Sequence, residues 1–69
     1  MTEQERLKAF EQMLCAVQHQ YEECVSNMER LKAQGKVKTA TYRQIMGNKM
    51  MYQGMLSMYR VYGLLEDDT

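Results

Sequence analysis

Leu7, Phe10, Leu14, Val17, Tyr21, Cys24, Met28 and Leu31 follow one another at alternating gaps of three and four residues, an unbroken heptad seam. On a helix this spacing holds one apolar stripe on one side for roughly seven turns, which is sustainable in water only if another helix lies along it. The rest of the chain must therefore supply a cover for residues 7–31.

The seam sits in a stretch built to be helical. Residues 3–34 contain neither proline nor glycine, and Thr2 followed by Glu5 has the form of a capping box, in which hydroxyl and carboxylate each satisfy a free backbone N–H. Gly35 stands where a left-handed residue would close the helix. The spacing predicts a helix over about residues 3–34, a rod of about 48 Å. Ser26 and Glu29 form a second capping-box pattern that would allow a break. The seam passes through it without a change of phase, so a continuous helix is expected.

Residues 35–41 are polar and helix-poor and read as a connector. Thr41 with Gln44 resembles another capping box, with Ala40 against Ile45 as a hydrophobic staple, so a second helix is expected over about residues 42–63. Gly63 followed by Leu64 fits a Schellman ending in which Leu64 touches Tyr59. Glu66, Asp67 and Asp68 are unfavourable at a helix C-terminus, and residues 64–69 read as an acidic tail.

Two long helices joined by so short a connector predict an all-α fold, an antiparallel two-helix hairpin forming one domain. Folding back near Val37 and Lys38 would bring Leu14 to Val61, Val17 to Met58, Tyr21 to Gly54, Cys24 to Met51 and Met28 to Gly47. This register gives the two interior glycines a purpose. Each costs about 1 kcal/mol against alanine, and facing Tyr21 and Met28 would supply one.

The second helix carries more apolar surface than one partner can cover. Ile45, Tyr52, Met55, Leu56, Tyr59 and Tyr62 form a second stripe, which in this register is left outside the hairpin. Two hairpins joined through it would make a homodimeric four-helix bundle, which also remedies the small core of a 69-residue chain. A different protein is the other candidate occupant, since tyrosine and methionine adapt well to interfaces.

Nine basic and nine acidic residues cancel, but unevenly. Residues 30–65 hold Arg30, Lys32, Lys36, Lys38, Arg43, Lys49 and Arg60 and no acid. Lys36, Lys38 and Arg43 at the hairpin tip are the residues placed to contact a polyanion, an attraction that would fall with salt. A related alternative is a nucleic-acid-binding regulator of helix-turn-helix type over residues 42–62, with Gly47 in the turn and residues 50–62 as the recognition helix.

No catalytic, metal or cofactor chemistry is expected. Cys15, His19 and Glu22 or Glu23 share one helical face, yet they would need a further ligand to close a zinc site and a pocket to support nucleophilic catalysis. Met46, Met50, Met51, Met55 and Met58 fall at packing spacings on an apolar helix, which favours contact over copper ligation. Cys15 and Cys24, nine apart, point to opposite sides of a helix and cannot pair within it. With no apolar run long enough for a membrane and a polar, acidic first segment, a cytoplasmic chain is expected. The expected function is that of a small non-enzymatic protein-interaction or oligomerisation module.

Overall fold

The computed structural model describes residues 1–65, and the acidic tail expected beyond Leu65 lies outside the described residues. Two helices are present, α1 over Glu3–Ala33 and α2 over Ala40–Val61, and they pack against each other as a hairpin with extents of 48 × 29 × 15 Å. No strand occurs among the described residues.

The ends of both helices are closed by local hydrogen bonds. Thr2 Oγ1 accepts from the Glu5 N–H at 3.1 Å and its carbonyl accepts from the Arg6 N–H, so α1 begins with an orphan donor satisfied. Glu3 and Glu5 occupy its first turn, and Arg30 and Lys32 its last, each sign matching the end of the helix dipole beside it. Both helices end in Schellman motifs. Lys36 N–H donates to the Leu31 carbonyl and Gly35 N–H to that of Lys32; Leu64 N–H donates to the Tyr59 carbonyl and Gly63 N–H to that of Arg60. Gly35 and Gly63 take φ of 72° and 74°, the left-handed conformation that only glycine adopts cheaply. Helix α1 continues unbroken through Ser26 and Glu29.

The start of α2 differs from expectation. Thr39, not Thr41, is the N-cap: its Oγ1 accepts from the Tyr42 N–H at 3.2 Å and donates to the Lys36 carbonyl at 2.8 Å. The second bond ties the cap to the connector, an anchorage that only Thr39 makes. Starting at Ala40 also places Tyr42 in the first turn, where it is buried. Thr39→Ala is expected to destabilise the fold by about 1 kcal/mol, visible as a lower urea midpoint, whereas Thr41→Ala should leave the midpoint nearly unchanged.

The core consists of Val17, Cys24 and Leu31 from α1 with Tyr42 and Leu56 from α2. Phe10, Leu14, Tyr21 and Met28 are half-buried along the same side of α1, so its seam faces α2 except at Leu7, which is exposed near the N-terminal end. On α2 the covered side is the heptad run Tyr42, Ile45, Lys49, Tyr52, Leu56, Tyr59, all buried or half-buried. The rings of Phe10 and Tyr59 meet edge to face, centroids 5.5 Å apart at 88°.

The expected register is therefore corrected in two respects. The numbers of Phe10 and Tyr59 sum to six less than the facing numbers the fold-back near Val37 and Lys38 required. The side of α2 turned inward is also the opposite one. Met51, Met58 and Val61 are exposed, and a Cβ added at Gly47 or Gly54 would meet nothing within 4 Å. These glycines do not make room for Tyr21 and Met28. The physical reason is area: three tyrosines, an isoleucine and a leucine bury more apolar surface against α1 than two glycines, two methionines and a valine would.

Candidate interaction surface

Turning α2 over exchanges the roles of its two stripes. Ile45, Tyr52, Met55, Leu56 and Tyr59, expected to form an outward interface, lie on the covered or half-covered side of the hairpin. Leu56 is 5% exposed, the least of any described residue. Tyr62 alone of that set stays open, 73% exposed at the C-cap of α2. Charges introduced at Tyr52 or Tyr59 would therefore attack the hairpin's own packing.

The outward surface is made instead by Ala40, Arg43, Gly47, Met50, Met51, Gly54, Ser57, Met58 and Val61, all exposed. Successive members are one, three or four residues apart, which keeps them on one side of α2 opposite the covered side. Met50, Met51, Met58 and Val61 are between 53% and 77% exposed, and Arg43 is the one charged member of the stripe. Such an array is more than scattered apolar residues on a surface. It is a continuous apolar side of a 22-residue helix whose other side is already used. A helix apolar on both sides has the pattern of one enclosed between neighbours. The outer side of α1, by contrast, carries Glu5, Lys8, Gln12, His19, Glu22, Glu23 and Arg30 and is the polar face of an amphipathic helix.

Lys36 and Lys38 lie exposed in the connector and Arg43 in the first turn of α2, which holds no acidic residue. They remain at the hairpin tip, together with Arg30 and Lys32 of the last turn of α1. The helix-turn-helix arrangement does not form: α2 runs without interruption through Gly47 and Asn48, so there is no turn and no separate recognition helix.

The remaining chemical groups are dispersed. His19 Nε2 lies 3.1 Å from Glu23 Oε1 one turn along α1, a surface pair contributing under about 1 kcal/mol. Among the described residues no group of three His, Cys, Asp or Glu side chains is placed to hold a metal ion. Cys15 is exposed and Cys24 buried, both as free thiols. An open groove at the start of α1 is lined by Glu3, Arg6, Leu7 and Phe10, without a nucleophile or histidine. Among the described residues, no helix is long and apolar enough to cross a membrane.

Compared with known proteins, the chain matches no family model, no curated protein and no solved structure. Among the described residues, the outer face of α2 gathers Met50, Met51, Met58 and Val61, all more than half exposed, on one side of one helix.

Proposed function

We propose that this chain is a non-enzymatic helical interaction module that associates first with itself, two hairpins forming a homodimeric four-helix assembly through the outer face of α2. The observation that carries the reading is the methionine-rich side of α2, left open by a hairpin with five buried core residues among those described. A single core in a chain of this size supplies only a few kcal/mol, and self-association is one of the routes by which such chains gain more. The chemistry of the face agrees: methionine is flexible and polarizable, and it is enriched at protein contacts.

Sedimentation equilibrium over a range of protein concentrations tests this, with far-ultraviolet circular dichroism on the same samples. The expected mass is twice the chain's 8.2 kDa, falling on dilution, with helicity falling in parallel because pairing supports the fold. A well-folded species of single-chain mass at every concentration would overturn it.

A further inference from the structure

Resting on that self-association, we propose that the second copy lies antiparallel along α2, its Gly54 against Gly47 and its Met51 beside Met51 at a two-fold axis. Three observations lead there.

The first is area. The chain exposes 5715 Å², roughly 1,200 Å² more than the roughly 4,500 Å² expected for a compact monomer of 8.2 kDa. A standard interface takes about 800 Å² from each partner, so the surplus is of the size that a second copy would remove.

The second is the pair of glycines. Interior glycine weakens a helix, and neither Gly47 nor Gly54 is in a conformation that requires it, nor would a Cβ added at either meet another part of the hairpin within 4 Å. Nothing within the hairpin calls for glycine at either position. They stand seven apart, two turns along one side, and bare backbone there lets a second helix approach at the short end of the usual 8–10 Å spacing. The methionines at 50, 51 and 58 then close around the contact.

The third is charge, and it sets the direction. A parallel copy in register would set Arg43, the one charged residue of the stripe, against its own equivalent. In the antiparallel copy centred between the glycines, Arg43 lies opposite Met58 of the second chain. The two Arg43 side chains are then about fifteen residues apart along the axis, about 22 Å. Opposed helix dipoles favour the same direction. Because α1 lies on the far side of α2, the four helices follow one another in a layer, α1 and α2 of one copy and then α2 and α1 of the next.

Disulfide trapping in a Cys15→Ser background reads the arrangement, with equilibrium mass measured on each variant before oxidation. Met51→Cys is expected to cross-link to itself. Met58→Cys alone should not, but should cross-link when mixed with Arg43→Cys. Self-cross-linking of Met58→Cys in a dimer, or a dimer in which none of these positions cross-links, would overturn the antiparallel seam while leaving self-association intact. A monomer throughout would remove the self-association beneath it and leave the face open to a different protein. As a second measurement, Gly47→Ala with Gly54→Ala should raise the helicity of the dissociated chain yet weaken pairing at least tenfold. Equal or tighter pairing would show that the glycines are not at the contact.

Discussion

Leu56→Ala is expected to remove most of the helical circular dichroism signal at micromolar concentration, the largest effect of any conservative truncation in α2. Leu56 is the least exposed residue described, and it sits in a core with only Val17, Cys24, Leu31 and Tyr42. Deleting a buried leucine side chain costs about 2–5 kcal/mol through lost transfer energy and an unfilled cavity. A chain of this length has a total stability of roughly 3–10 kcal/mol, so the substitution takes a large share of it. Gln53→Ala, three residues away on the exposed surface, should change the signal little. If Leu56→Ala melted like the unaltered chain, the packing described for α2 would be wrong, and the side with Gly47, Met51, Gly54 and Met58 would have to be the one turned toward α1.

That inversion marks where the sequence was legible and where it was not. The seam of α1 is a period-3.5 pattern of large apolar residues, and its existence, continuity and closing glycine follow from local rules. The pairing of α1 with α2 follows from the short connector. Which side of α2 faces inward does not, because both sides are apolar and periodicity alone cannot rank them. The inner run Tyr42, Ile45, Lys49, Tyr52, Leu56, Tyr59 is as regular a heptad as that of α1, but Lys49 interrupts its apolar character. A lysine can lay its aliphatic stem along an apolar surface while its ammonium reaches water, and Lys49 is half-buried. The glycines misled in the other direction. Their cost called for an explanation within the hairpin, and none exists there. The clearest available signal was size: a run with three tyrosines outweighs one with two glycines as a core. The cap of α2 was not legible because Thr39 lacks the capping-box partner that Thr41 has in Gln44, and its bond to the Lys36 carbonyl depends on the path of the connector.

Replacing both Met51 and Met58 with glutamate should separate the assembly with little harm to a lone hairpin. Both side chains are more than half exposed on the outer side of α2, where substitutions away from special features cost a single chain no more than about 0.5 kcal/mol. In the pair they would be enclosed. Each methionine lost from a buried contact removes about 2 kcal/mol of apolar burial, and each carboxylate in its place must shed water without a partner. At the two-fold axis the glutamate at 51 would also face its own equivalent, a like-charge contact. Four such groups per dimer imply a dissociation constant raised by a factor of roughly 10³ or more, so the variant should sediment as a single chain where the unaltered protein is paired. Met51→Leu with Met58→Leu, which keeps volume and apolarity, should preserve the dimer mass. Because pairing supports the fold, the glutamate variant should also show less helicity than the paired, unaltered protein at the same concentration. The leucine variant then separates loss of contact from loss of side-chain identity. A glutamate variant that keeps the dimer mass would place the seam elsewhere and free the methionine face of α2 from this role.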